Sequence, residues 1–169
     1  MCGRFRLALP GAALGRLFGL EAPPGAEARY NIAPGQEILA VRCAGGSRLE
    51  CWRPTWGLVP AWVKEVSQAQ LINARAETAA EKPAFRKPFR TRRCLIPADG
   101  FYEWTPRPSA GPRRPWLITL AGGTPFAFAG LWDRFVKPDG EALETATILT
   151  TTPNELVARI HDRMPVILD

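Results

Sequence analysis

Cys2 carries the most distinctive chemistry in the chain. An initiator methionine is removed ahead of a small residue such as cysteine, and loss of Met1 would leave an α-amine and a β-thiol on one residue. An internal cysteine offers only the thiol. An aminothiol can condense with an aldehyde through its amine, after which the thiol closes a five-membered thiazolidine ring. An α-amino pKa of about 7.7–8.0 leaves a useful neutral fraction at physiological pH, and a thiol pKa of about 8.5 is open to tuning by cations such as Arg4. On Cys2 alone an accidental second-position cysteine is the simpler reading, so the rest of the chain decides. Cys43, Cys51 and Cys94 form no Cys-x-x-Cys pair, and His161 is the single histidine. A structural zinc site needs four organised ligands, so neither a metal nor any other cofactor is expected. Nothing in the spacing suggests a secreted disulfide framework, which fits a reducing cytosol.

Charge gives the first indication of a partner. Lys and Arg number 22 against 16 Asp and Glu, a formal net charge of +6. Basic domains attract polyanions, nucleic acid most often, although many small proteins carry such a charge without one. The 46% apolar and 22% charged shares are those of a folded chain, and 169 residues suffice for one domain with a substantial core. Met1–Leu20 is mildly apolar, but Pro10, Gly11, Gly15 and Arg16 interrupt any signal-type stretch. No apolar run approaches the ~20 residues of a membrane helix. The expectation is a soluble, cytoplasmic protein with no membrane partner.

The elements that would position these groups are short. Seventeen prolines and fifteen glycines favour strands joined by tight turns over a helix bundle. Ala12–Phe18 puts Leu14, Leu17 and Phe18 on one helical face with Gly19 as a stop. After a Pro/Gly-rich loop, Ala22–Ala26, the segment Tyr30–Gly35 reads as an extended turn. Glu37–Arg42 and Arg48–Arg53 read as a hairpin around Ala44–Ser47, and Trp56–Trp62 as irregular. Further strands are expected at Arg93–Ile96, Phe101–Trp104, Pro115–Leu120, Phe126–Trp132 and Thr145–Thr151, with Arg107–Arg114 an exposed hairpin loop. Thr152 and Pro153 suit the cap and first position of a helix through Arg159, and Val166–Leu168 closes the chain as a strand. The fold class is therefore α+β: one mixed domain of mainly antiparallel, barrel-like sheet with a few short helices.

Six ordered motifs connect these pieces: Met1-Cys2-Gly3-Arg4-Phe5, Arg29-Tyr30-Asn31-Ile32-Ala33-Pro34, Trp56-Gly57-Leu58-Val59-Pro60-Ala61-Trp62, Ile72-Asn73-Ala74-Arg75-Ala76-Glu77-Thr78, Arg93 through Trp104, and Ile160-His161-Asp162-Arg163-Met164-Pro165-Val166-Ile167-Leu168. Together they resemble the SRAP (SOS response-associated peptidase) family over the whole chain, Met1 to Asp169. The resemblance implies a mixed α/β fold around a basic channel, a single SRAP-like domain shorter at its C-terminus than its relatives, and action as a monomer. It further implies binding of single-stranded DNA, including at single-strand/double-strand junctions, and a covalent thiazolidine between Cys2 and the ring-opened sugar of an abasic site. Localisation would then be at the nucleoid when the protein engages DNA. Carried over by motif, Cys2 is the nucleophile, Asn73 positions the reacting group, Glu103 is the acid/base and His161 completes the site. Arg4, Arg75 and Arg163 are assigned to backbone phosphates, and Trp104, Pro34 and Trp62 to stacking or wedging. At Val63 the chain departs from relatives that carry a second tryptophan there.

Each role has a plainer counterpart. Glu103 could be a solvated strand-end carboxylate, although Phe101, Tyr102 and Trp104 offer the desolvation that fits a carboxyl group for proton transfer. A lone histidine is more often structural than catalytic, and an asparagine more often caps a turn. Trp116 and Trp132 are expected in the core. Two other functions use the same residues. A thiol peptidase or amidase, with self-cleavage ahead of Cys2, would take Cys2, His161 and Asn73 as nucleophile, base and orienting amide. A non-covalent single-strand DNA-binding module would use only the arginines and aromatics. Loss of covalent capture in Cys2→Ser or Cys2→Ala, with binding retained, separates these from the crosslinking reading. A lyase side reaction also follows from it, because a Schiff base at the sugar C1′ acidifies C2′.

Overall fold

Alternation of buried and half-exposed positions, more than intrinsic propensity, determines which segments become strands. In β1 (Arg4–Leu7), Phe5 and Leu7 are buried while Arg4 and Arg6 reach outward. The computed structural model describes residues 2–20, 27–46, 48–66, 70–105 and 111–168. The Ala22–Ala26 loop, the Arg107–Ala110 part of the expected hairpin loop and the side chain of Leu17 lie outside the described residues. After β1 come α1 (Gly11–Phe18), β2 (Arg29–Ile32), β3 (Ala40–Cys43), β4 (Leu49–Trp52), β5 (Thr55–Trp56), β6 (Asn73–Arg75), α2 (Ala76–Ala79) and α3 (Arg86–Thr91). The second half holds β7 (Arg93–Ala98), β8 (Gly100–Trp104), β9 (Pro115–Ile118), β10 (Phe126–Val136), β11 (Ala142–Thr151), α4 (Glu155–Ala158), β12 (Met164–Pro165) and β13 (Ile167–Leu168).

Two open sheets result. One has the order β2-β1-β8-β9; the other contains nine strands along the path β12-β11-β10-β7-β3-β4, with β13 on β10 and β5 and β6 on β11. The expected α+β class is what the chain adopts, with two facing sheets rather than a closed cylinder. Their inner faces share one core, in which Phe5 meets Trp56 and Phe128 edge-on at 5.2 and 5.6 Å and Phe101 meets Phe128 at 6.1 Å. The chain passes from one sheet to the other at Asp99, between β7 and β8. This buried carboxylate accepts from Arg6 Nε at 2.7 Å and from the Ala8 amide at 3.0 Å, which pins the corner to β1. Gly100 follows it because a Cβ there would lie 2.8 Å from Leu117 Cδ1 and 3.2 Å from the Ile118 carbonyl.

The long strands explain how the end of the chain is used. β10 and β11 pair from Val136–Ala142 up to Gly130–Ile148 and then diverge. The segment Met164–Leu168 enters the fork, β12 against β11 and β13 against β10, with Val166 bonded to both Leu149 and Ala129. The opposite edge of β11 carries β5 and then β6, both parallel to it.

Several expectations change. Tyr30–Gly35 is not all turn: Arg29–Ile32 pairs with β1, and only Ala33–Gln36 reverses the chain, as a Pro34–Gly35 turn with Gly35 at φ +82°. The last helix is capped by Asn154, two positions after the expected Thr152, because its side chain accepts from the Val157 amide at 2.9 Å. Trp116 is not core but 45% exposed. Trp132 is half-buried, because Arg42 stacks 4.5 Å from both its ring and that of Trp52 while pairing with Glu50 and Glu144. No helix among the described residues is long and apolar enough to cross a membrane.

Candidate active site around Cys2

Cys2 sits at the entrance to β1 with no exposed surface and packs into the shared core. What fixes it is β6. Fully buried Trp56 donates its indole N–H to the Ile72 carbonyl at 2.9 Å, and the Ile148 amide donates to the same oxygen at 3.2 Å. The next residue, Asn73, is thereby aimed at the chain start, where its Nδ2 donates to the Cys2 carbonyl at 2.8 Å. A carbonyl can only accept, so the amide orientation is determined. Asn73 Oδ1 is buried and has no hydrogen-bond partner among the described residues. An unmet buried acceptor is costly in a protein interior, and it suits a site that receives a donor from a ligand.

Glu103 reaches the same point from β8. Arg4 pairs with Tyr102 across the β1–β8 ladder, so Glu103, one residue further, comes level with the start of β1. The residue is only 3% exposed. Burial pushes the Cys2 thiol far up from its ordinary range, the charge of Glu103 adds to that shift, and the chain's amino-terminal charge and the Arg4 amide oppose it. The thiol is therefore held protonated at neutral pH. A thiol in this state is a poor nucleophile until a base takes its proton.

His161 follows α4, its amide bonded to the Val157 carbonyl at 2.8 Å. Its Nδ1 accepts from the Arg163 amide at 3.0 Å and also lies 2.8 Å from Oδ1 of Asp162, a strongly exposed carboxylate. One nitrogen cannot accept from the first and donate to the second. The backbone amide is the fixed partner, so it sets the tautomer and leaves Nε2 as the proton-carrying nitrogen. Arg163, two residues on, donates from Nη2 to the Thr150 carbonyl at 2.7 Å, and Thr150 is the β11 partner of Arg75 at the end of the strand that carries Asn73.

Arg163 also grips Glu77 with both ends of its guanidinium, at 2.9 and 2.8 Å. This fork geometry holds α2 against the end of β11. The contact holds the Glu77 carboxyl down at about 2. A carboxylate depressed in the folded state contributes stability above its ordinary pKa and loses it as pH falls through the folded value. Melting temperature in wild type should thus fall as pH drops from about 4.5 toward about 2. Glu77→Gln should remove that component and leave the rest of the acid profile in place. The effect is modest because the pair is solvent-facing. Equal acid sensitivity in both proteins would contradict the assignment.

The residues expected to hold DNA are distributed around this centre. Arg75, exposed at the end of β6, and Trp62, 66% exposed, both line an open cleft of about 480 Å³ together with Leu71, Asn73 and Phe85. Asn73 both lines that cleft and holds Cys2. Arg4 leaves the outward face of β1 and donates to Asn31 at 2.8 Å. Pro34 is exposed at the turn after β2, and Trp104 is half-buried on β8 opposite Pro115. Arg163 differs from Arg4 and Arg75 in that its terminal nitrogens are taken by Glu77 and Thr150. Sequence reasoning did not single out Glu77 or Thr150, although Glu77 lies inside the Asn73 motif; Thr150, Leu71 and Phe85 carried no local signal. Among the described residues no group of His, Cys, Asp and Glu could hold a metal ion.

Comparison with known proteins agrees with this architecture. The family model described as SOS response associated peptidase (SRAP) matches residues 1–169. The chain is 46% identical over 172 residues to the abasic site processing protein YoqW of Bacillus subtilis (strain 168), a match covering 99% of this chain and 76% of that one. It is 34% identical over 143 residues to the abasic site processing protein HMCES of Mus musculus, covering 68% of this chain and 40% of that one. Among solved structures, a protein from Bordetella bronchiseptica is 30% identical with a TM-score of 0.83, covering 99% of this chain and 84% of that one. A protein from Bacteroides thetaiotaomicron is 26% identical with a TM-score of 0.86, covering 99% and 77%.

Proposed function

The chain belongs to the SOS response associated peptidase family, and from that membership we propose that it processes abasic sites in DNA by joining Cys2 covalently to the ring-opened sugar. The observation that carries the covalent step is the convergence on one buried residue of an amide, Asn73, and a carboxyl, Glu103, beside an open cleft. With Met1 removed, the neutral α-amine of Cys2 attacks the aldehyde carbon C1′. The carbinolamine loses water with a proton donated by Glu103, giving a protonated imine. The thiol then adds to it: sulfur bonds to C1′, the thiol proton passes to the Glu103 carboxylate, and the C=N electron pair settles on nitrogen, which keeps the proton it already carries. Aldehyde and aminothiol become thiazolidine and one water, and Glu103 ends as it began. Asn73 holds the Cys2 backbone throughout, and His161, assigned by its motif, serves the sugar oxygen through Nε2.

Burial that pushes the Cys2 thiol upward favours this route over a thiol peptidase. A peptidase needs thiolate for its first step, whereas here the amine attacks first and the thiol acts only with a base beside it. The single strand is held by Arg4 and Arg75, with Trp62, Trp104 and Pro34 as stacking or wedging surfaces and Arg163 as the clasp that positions His161. Exposed Arg86, Lys87, Arg90 and Arg93 meet no carboxylate among the described residues and add a basic approach to the cleft. The protein acts as a monomer on single-stranded DNA. Incubation with single-stranded DNA carrying one abasic site should give a slow-migrating band on a denaturing gel, and undamaged DNA none. Equal bands with both DNAs, or none with either, would refute the reading.

A further inference from the structure

We propose that Trp116 is the platform on which the nucleobase next to the abasic nucleotide stacks, an inference that rests on the abasic-site reading above. Trp116 is the direct cross-strand partner of Glu103 in the β8–β9 ladder. Directly opposed residues share a sheet face, with their Cβ atoms about 4.5–5.5 Å apart. The neighbouring pair on the same face, Phe101 and Ile118, belongs to the core. One step along, Glu103 remains buried at 3% exposure while Trp116 stands 45% exposed. The inner face of the sandwich thus runs out at this pair, and its last aromatic is left facing solvent beside the acid/base carboxyl.

An indole in that position gives up the stabilisation of burial and leaves a ring face open for stacking. Leu117, also exposed, is no part of the same patch, because it opposes Tyr102 and therefore lies on the other face of β9. Among the described residues of β8 and β9, Trp116 is the only exposed large apolar side chain on the face of Glu103, less than the broad area that a protein partner would cover. Exposed Arg113 and Arg114 lie just before it on the chain. An aromatic ring flanked by cations and adjoining a site for a sugar fits a stacked base whose phosphates are held nearby. Trp62 lines the cleft on the Asn73 side, so Trp116 supplies the corresponding ring on the Glu103 side.

The test pairs protein variants with substrates. Capture rates at limiting protein would be measured on single-stranded DNA in which the lesion has a normal base on each side, and on DNAs in which one or the other neighbour is an inert base-less spacer. Wild type should capture one spacer substrate more slowly, on the order of tenfold to a hundredfold. Trp116→Ala should lose a similar factor on the normal substrate and show no further loss on that spacer substrate. Trp116→Phe should retain most of the wild-type preference, which separates stacking from misfolding. Equal loss by Trp116→Ala on all substrates would make Trp116 a cover for Glu103 and overturn the proposal, as would no loss on any. Wild type capturing none of the DNAs would instead defeat the abasic-site reading, and this inference with it.

Discussion

Cys2→Ala yields no adduct that survives denaturation, while its affinity for single-stranded DNA stays close to that of wild type. The variant still exposes an α-amine once Met1 is gone, so it can form an imine with the abasic aldehyde. Without a thiol that imine cannot close to a ring and reverts on dilution. Borohydride should therefore trap an adduct with Cys2→Ala that is absent without reductant, whereas wild type needs no reductant. Cys2→Ser should behave in the same way. Cys2 is part of the buried core, and removing a buried sulfur leaves only a small void, so folding should survive at a cost of about 1 kcal/mol or somewhat more. A stable adduct in Cys2→Ala would move the covalent bond to another residue.

Glu103→Gln should slow capture by about 10²- to 10⁴-fold, the usual contribution of a positioned acid–base group. Glutamine preserves the shape of the side chain in its buried position, so packing on Phe101 and β1 is little disturbed. It can neither give a proton to the departing water nor take one from the thiol. Binding of undamaged DNA should remain within a small factor of wild type. The split between rate and affinity is the informative part. Parallel loss of both would assign Glu103 to folding or to DNA contact. Because the Cys2 thiol is held protonated partly by the charge of Glu103, the variant should also leave that thiol more easily ionised, which alkylation rates across pH can follow.

The parts of this design readable from sequence are those written in local chemistry. The aminothiol at Cys2 follows from two adjacent residue types, the α1 stop from Gly19 in a left-handed conformation, and the β3–β4 hairpin from two strand-like runs around a Gly-Gly turn. The remainder depends on partners far along the chain. Asn73 belongs to a three-residue strand, too short to stand out by periodicity, and is placed by Trp56 and Ile148. β10 runs four residues past its expected end because Asp133–Val136 find Ala142–Thr145 opposite. Trp116 was expected inside on grounds of size and apolarity, yet it lies where the inner face opens, a position no local pattern records. The motif that carried Arg163 did not reveal that Glu77, from the Asn73 motif, would occupy its guanidinium.

The central claim is a ring joining the first residue of the processed chain to the abasic sugar, and intact-mass measurement tests it most directly. Purified protein should first show the mass expected after loss of Met1. After incubation with a single-stranded oligonucleotide bearing one abasic site, the adduct should weigh the sum of protein and DNA less one water, with no reductant added. Peptide mapping should then put the modification on Cys2. A mass gain that appears only after borohydride, or that maps elsewhere, or a protein that keeps Met1 and still forms the adduct, would contradict the thiazolidine account.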